Sequence, residues 1–157
     1  VYAVDVGSAQ LAEKLKNDKR VISMENTDIR TAEIEKTDFI SCDVSFISLK
    51  KILEKISELL KDEGVCVFLI KPQFEAGREN LSKKGIVKNP KIHKKVIRDV
   101  TECAVENGLY VKAVTFSPIR GGDGNIEYLA LADKKNGYMI SLQDIDDVVE
   151  SAFERLG

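Results

Sequence analysis

Along the chain, short runs of β-branched and apolar residues alternate with segments whose apolar residues recur every three or four positions. That alternation is the mark of βαβ crossovers and predicts an α/β fold with a mainly parallel sheet covered on both faces. The first strand is predicted over residues 1–6, then a helix from Ser8 to Lys16 with Leu11 and Leu15 one turn apart, then a strand from Val21 to Met24. A third strand is expected at Asp38–Asp43. Ser48 stands where it can cap a helix carrying Leu49, Ile52, Leu53, Ile56, Leu59 and Leu60 on one stripe. Gly64 then releases an unbroken apolar strand, Val65 to Ile70, whose composition implies burial on both faces at the sheet centre. Lys71-Pro72 ends it, because proline has no ladder donor.

Residues 73–90 read as a long loop rich in Gly, Lys and Asn, and loops of that length inside a domain are usually functional or mobile. The next helix, Lys91 to Asn107, presents Ile92, Val96, Ile97, Val100 and Cys103 to the sheet and stops at Gly108. Leu109 to Ser117 and Glu127 to Ala132 are predicted strands on either side of the turn Arg120-Gly121-Gly122-Asp123-Gly124-Asn125, and so short a link makes them antiparallel. The tail, residues 136–157, holds an amphipathic helix: Leu142, Ile145, Val148, Val149, Ala152 and Phe153 recur at helical spacing, with Ser141 and Asp144 placed to cap its start. It should dock on the sheet or on another subunit.

Composition narrows the class without naming a partner. With 157 residues, 43% hydrophobic and 32% charged, the chain has enough apolar material for one core without disulfides or metals. A net charge of −2 does not by itself imply nucleic acid, so only a local basic surface can point there. Cys42, Cys66 and Cys103 lack metal-ligand spacing and read as free thiols in a reducing cytoplasm. No metal site is expected. No apolar run approaches the roughly 18 residues of a membrane span, so no membrane partner is expected either. His93, the single histidine, sits in a basic helical turn with no ligand-spaced partner and is expected on the surface or in packing. The chain opens inside a strand at Val1 with no initiator Met, which reads as an excised fragment.

Three polar residues fall where strands end or begin: Asp43, Lys71 and Glu127. In open α/β sheets the carboxyl ends of parallel strands form the ligand crevice, and an antiparallel strand starting at the same edge can add its first residue to it. An acid, a lysine and a second acid are thereby expected to converge. Each also has a plain reading: Lys71 as a solvated strand end, Asp43 as a cap for the following helix, Glu127 as a cross-hairpin partner. The turn Gly121-Gly122-Asp123-Gly124 lacks the strand-to-helix context of a phosphate loop and reads as a hairpin turn. Arg78, Lys83, Lys84, Lys88, Lys91, Lys94, Lys95 and Arg98 concentrate positive charge beside the proposed site, either as a solvated face or as an RNA contact.

The strings VYAVDVG, DVSFIS, KPQFEAGRE, GIVKNPKIH and SPIRGGDGNIEYL, in that order over residues 1–135, resemble the hemolysin-A-like (TlyA-type) group of the FtsJ-type RNA 2′-O-methyltransferases. The resemblance implies a Rossmann-like, S-adenosylmethionine-dependent methyltransferase fold with an antiparallel C-terminal hairpin. It also implies modification of ribose hydroxyls in ribosomal RNA, with ribosomal RNA or a ribosomal subunit as partner and a cytoplasmic location. An N-terminal S4-type RNA-binding domain usually precedes the domain in this family. Of the family's lysine-aspartate-lysine-glutamate tetrad, three members map onto Asp43, Lys71 and Glu127; the first lysine and the Gly-rich cofactor loop have no counterpart in residues 1–157. The resemblance assigns Asp5 to the cofactor ribose and Asp28 to the adenine, and the basic loop makes Arg78, Lys83, Lys84 and Lys88 the candidate RNA-binding residues. Lys71 is the candidate base for the 2′-hydroxyl, with the carboxylates orienting it.

On this reading residues 1–135 are an incomplete methyltransferase domain, residues 136–157 an added C-terminal helix, and the fragment is expected to be inactive alone. Two other functions compete. One is a noncatalytic RNA-binding or ribosome-associated module that keeps the fold. The other, suggested by the family's historical name, is a membrane-active hemolysin, for which the sequence has neither a spanning segment nor a basic helix with a broad apolar face. The family's missing central strand would lie between the strands ending at Asp5 and Asp43, so these two are expected either to pair directly or to take a strand from another copy. A homo-oligomer through those edges or through the C-terminal helix is the corresponding expectation.

Overall fold

The computed structural model describes residues 1–157 and divides into two compact units, Val1–Lys36 and Thr37–Gly157. In the first unit, β1 (Tyr2–Val4) and β2 (Ile22–Met24) pair in parallel, with Tyr2 opposite Ile22 and Val4 opposite Met24. The helix expected from Ser8 shrinks to a single turn, α1 (Glu13–Lys16). Ala9 adopts a left-handed backbone (φ 58°), which helix geometry excludes, and Leu15 remains 40% exposed, so little apolar burial holds a longer helix. Ala32 is the only buried residue of this unit.

In the second unit a four-stranded sheet has the order β3 (Thr37–Cys42), β4 (Leu60–Ile70), β6 (Tyr128–Asp133), β5 (Tyr110–Phe116). The β3–β4 pair is parallel, and β6 runs antiparallel to both β4 and β5, between which it is inserted. The hairpin expected around residues 120–125 is therefore present, and its second strand also completes the sheet beside β4. Across the whole chain, parallel and antiparallel pairs are equal in number, so the sheet is mixed rather than mainly parallel.

Helices α2 (Leu53–Leu59), α4 (Pro90–Glu106) and α5 (Leu142–Leu156) pack on this sheet or on one another. Because strand side chains alternate, Cys66, Phe68 and Ile70 point to the helices with Tyr128, Ala130 and Ala132, and all six are buried. The other face is open: Val65 is 37% exposed, Leu131 38% and Phe39 57%. The both-faces burial inferred for Val65–Ile70 is thus corrected, since an unbroken apolar run does not reveal which face is covered. Direct pairing of the strands at Asp5 and Asp43 is also absent. β1 is hydrogen-bonded to β2 and β3 to β4, each strand keeping the partner delivered by its own crossover.

The stripe after Ser48 is buried as predicted, with Leu49, Ile52, Leu53, Ile56, Leu59 and Leu60 all 6% exposed or less. Each such side chain contributes roughly 1.5–3 kcal/mol by leaving water. The helix is nonetheless broken, with a 3-10 turn (Leu49–Lys51) before α2 and β4 beginning at Leu60 rather than after Gly64. In α4, Asn89 caps the start by accepting from the Lys91 N–H, Pro90 occupies the first turn, and Gly108 at φ 73° follows the end. Ser141 and Asp144 form a reciprocal capping box on α5, which docks on α4 and β5 of the same unit.

His93 is fully buried, which removes the surface alternative. Its Nε2 lies 2.9 Å from the Val87 carbonyl and its Nδ1 2.9 Å from the Tyr128 hydroxyl. A carbonyl can only accept, so Nε2 carries the proton and Nδ1 accepts from Tyr128. The ring also meets Phe153 edge-on at 4.9 Å. Burial holds the His93 pKa below its ordinary 6.5, with the Val87 contact opposing. The unfolded chain thus binds a proton more readily than the folded one, so this contribution to stability is complete above about pH 6.5 and is lost as pH falls from there through the folded pKa. Thermal unfolding between pH 8 and pH 5 should show a shallower acid loss in His93→Gln than in the parent chain; superimposable pH profiles would contradict the assignment.

Candidate active site

Asp43 follows β3 and Lys71 follows β4, and because these strands are parallel neighbours both residues leave the sheet at its carboxyl rim. There Lys71 Nζ lies 2.5 Å from Asp43 Oδ1 and donates to Ser45 Oγ at 3.1 Å. The partners differ in setting: the Lys71 side chain is 12% exposed and that of Asp43 66%. A largely buried lysine thus reaches an acid that faces solvent, an arrangement in which the pair adds little stability. Its use is to fix the position of the nitrogen.

Glu127 arrives from the opposite direction. Ile70 and Tyr128 form the last pair of the β4–β6 ladder, and Lys71 and Glu127 each lie one residue beyond it. Glu127 is 8% exposed and makes no ion pair; its Oε1 accepts from Gln73 Nε2 at 2.9 Å. Its carboxylate also lies against Gly121, where an added Cβ would meet Oε1 at 2.5 Å. The structure brings Asp43 and Lys71 into direct contact; Glu127 is in hydrogen-bond or ion-pair contact with neither and is held by Gln73, two residues after Lys71. Glu127 also pairs across the hairpin as its plain reading expects, its backbone carbonyl accepting from the Ser117 N–H at 2.8 Å.

Two further tethers escaped the sequence reading. The turn after Lys71, α3 (Pro72–Glu75), is tied back to the segment after Asp43: Glu75 Oε2 accepts from the Ser48 hydroxyl at 2.6 Å and Oε1 from the Leu49 N–H at 2.7 Å. Phe46 adopts a left-handed backbone (φ 64°), is 92% exposed, and has its ring 5.1 Å from that of Phe74. No local pattern announces either feature, since both join segments about 27 residues apart. Glu75→Ala should leave the Ser48 hydroxyl and Leu49 N–H without their partner and lower stability by about 1–3 kcal/mol; urea unfolding checks this, and an unchanged midpoint would show the clamp to be idle.

The basic run divides in two. Lys94 is neutralised by Asp146 and Glu150, and Lys95 by Asp99. Arg78, Lys83, Lys84 and Lys88 make no ion pair. They leave a positive surface available on the segment that follows Lys71.

In the first unit, Asp5 closes β1 with Oδ1 accepting the Gly7 N–H at 2.7 Å, while the Thr27 N–H donates to its backbone carbonyl at 2.9 Å. Asp28 caps the 3-10 turn Ile29–Thr31 and is gripped by Arg30, whose guanidinium, with the Arg30 N–H, holds the carboxyl down to about 2. Asp5 keeps its second carboxylate oxygen free; Asp28 does not have one to spare without releasing Arg30.

A twisted sheet of this order, with a lysine–carboxylate pair at its carboxyl rim, is the frame of a Rossmann-like methyltransferase. The chain belongs to the FtsJ-like methyltransferase family, whose model matches residues 1–134. Among curated relatives it is 44% identical to the provisionally named rRNA methyltransferase YqxC of Bacillus subtilis, over 99% of this chain and 58% of that protein. It is 43% identical to Hemolysin A of Brachyspira hyodysenteriae, over 83% of this chain and 56% of that protein. A solved structure carrying a hemolysin name, from Streptococcus thermophilus, superposes with a TM-score of 0.92 at 47% identity, covering 99% of this chain and 58% of that one. The chain thus spans a little over half the length of these relatives.

Proposed function

We propose that this chain carries the catalytic centre of an S-adenosylmethionine-dependent methyltransferase acting on ribose 2′-hydroxyls of ribosomal RNA in the cytoplasm. The observation that carries the reading is the Lys71–Asp43 ion pair at the sheet rim, with Lys71 and Glu127 each one residue beyond the Ile70–Tyr128 pair. S-adenosylmethionine, when bound, supplies a methyl group on a sulfonium, so the oxygen–carbon bond forms as the sulfur–carbon bond breaks. The remaining requirement falls on the protein, because a ribose hydroxyl is a weak nucleophile until it is aligned and its proton has somewhere to go. As an ammonium, Lys71 steadies the ribose oxygen; as the amine it takes the hydroxyl proton. Asp43 and Ser45 fix where its nitrogen stands, and Glu127, held by Gln73, supplies a second carboxylate at the same rim.

Asp5 is suited to the cofactor ribose, since an exposed carboxylate with one free oxygen can accept from a vicinal diol. Asp28 suits the adenine less well, because Arg30 already occupies it. The uncompensated Arg78, Lys83, Lys84 and Lys88 are suited to RNA phosphates, and exposed Phe46 offers an aromatic face on which an unstacked base can lie. The relative from Campylobacter jejuni is named a 23S rRNA (cytidine-2′-O)-methyltransferase and is 40% identical over 82% of this chain, which favours the same bond.

The hemolysin name of other relatives has less in its favour: the conspicuous buried-to-rim chemistry is that of Lys71, and no helix is long and apolar enough to cross a membrane. The test is transfer of labelled methyl from S-adenosylmethionine to ribosomal RNA, using a chimera that completes the chain to the length of its Bacillus relative. Digestion to nucleosides should place the label on ribose; label confined to bases would overturn the proposal.

A further inference from the structure

Apart from the rim residues, the second unit contains a cavity of about 660 Å³ between the 82–88 segment, the 120–126 turn and the end of α5. Its floor is apolar, formed by Ile86, Ile126 and Phe153. Lys83, Lys84, Lys88 and Arg120 line it as well, and no Asp or Glu side chain does. Three of these cations belong to the unpaired set above, and Arg120 is engaged only with the Gly124 carbonyl, at 3.1 Å.

The walls are fixed in advance. Asn125, 1% exposed, accepts the Val87 N–H through Oδ1 at 3.1 Å and donates through Nδ2 to the Gly85 carbonyl at 3.1 Å. The Val87 carbonyl in turn accepts from His93, whose ring packs on Phe153. Two buried polar side chains thus hold the 85–87 backbone against the turn that leads into Glu127. A cavity whose shape is held by the fold binds with less ordering cost than one a ligand must create.

Apolar residues beside four cations in a cavity of about 660 Å³, roomy enough for a nucleotide, fit one class of ligand: a nucleotide whose base leaves water while its phosphates meet the cations. A fatty or peptide ligand would not need four cations, and a free phosphate would not need the floor. Ile126 lines the cavity and its chain neighbour is Glu127, which puts the cavity next to the proposed rim site along the chain. We propose that this cavity is a second nucleotide subsite, seating the base of an unpaired ribonucleotide that flanks the one being methylated. The inference rests on the RNA reading above and extends it to a second position on the substrate strand.

Ile86 is half-buried and lines the cavity, so Ile86→Trp narrows it without changing charge. Binding of a fluorescent single-stranded RNA decamer to this chain is measured by anisotropy across a salt series, with thermal unfolding confirming that each variant is folded. Ile86→Trp should weaken binding about tenfold with an unchanged salt slope, because stacking and not phosphate contact is lost. Lys83→Gln should instead reduce the slope by about 1. As a check independent of that variant, a 4-thiouridine decamer irradiated with the parent chain should crosslink to peptides containing Ile86 or Phe153. Equal affinity of parent and Ile86→Trp, or crosslinks confined to other peptides, would overturn the subsite while leaving the methyl-transfer reading intact. No RNA binding by the parent chain would overturn the subsite too. Weakened binding by Ile86→Trp, with a chimera of Bacillus-relative length that transfers no methyl, would uphold the subsite and sink the enzyme.

Discussion

Lys71→Met is expected to lower methyl transfer by roughly 10²–10⁴-fold, the range associated with losing a positioned proton-transfer group. Methionine keeps most of the apolar stem that sits in a setting only 12% exposed, and removes the nitrogen that meets Asp43 and Ser45. Because Asp43 is 66% exposed, it returns to water at little cost, and the loss of stability should stay within about 1 kcal/mol. The separation is the informative part: a large fall in kcat with an unchanged unfolding midpoint assigns Lys71 to the chemistry. A fall in midpoint large enough to explain the activity would assign it to the fold instead.

Gly121→Ala is expected to be the second most damaging change, and for a different reason. The new Cβ would stand 2.5 Å from Glu127 Oε1 and 2.9 Å from its Cδ, so the carboxylate has to move. What moves is the end of a flexible side chain, not backbone, and the fold should tolerate it. Displacement of an active-site group by about an ångström can cost on the order of 10²-fold in rate. Gly122→Ala provides the matched control, since an added Cβ there meets nothing within 4 Å. If Gly121→Ala and Gly122→Ala are equally active, Glu127 does not need the position it occupies and its place in the site is lost.

Much of this arrangement was legible in the chain because its signals are local. Gly108 ends α4, and Ser141 with Asp144 starts α5, each a signal within a few residues of the helix end. Asp43 and Lys71 could be matched because both end strands joined by a helical crossover, which forces their rims together. What could not be read depends on contacts between distant segments. Gln73 reaches Glu127 over 54 residues, and Glu75 reaches Ser48 over 27. The apolar run of β4 looks the same whether one face or two are covered. His93 lies in a run of lysines, yet its helical position turns it inward with Val96, Ile97 and Val100, and charge density along the sequence carries no record of that rotation. The shortened α1 was misread because helical spacing of two leucines says nothing about the left-handed turn at Ala9.

The most direct measurement of the central claim exploits the chemistry of the product. A ribose whose 2′-oxygen carries a methyl group cannot attack the neighbouring phosphate, so the linkage after it survives alkali. Ribosomal RNA treated with the completed chimera and S-adenosylmethionine, then hydrolysed in alkali, should show a newly resistant linkage that is missing when Lys71→Met is used. Resistance that persists without Lys71, or methyl uptake that leaves every linkage alkali-labile, would contradict the account.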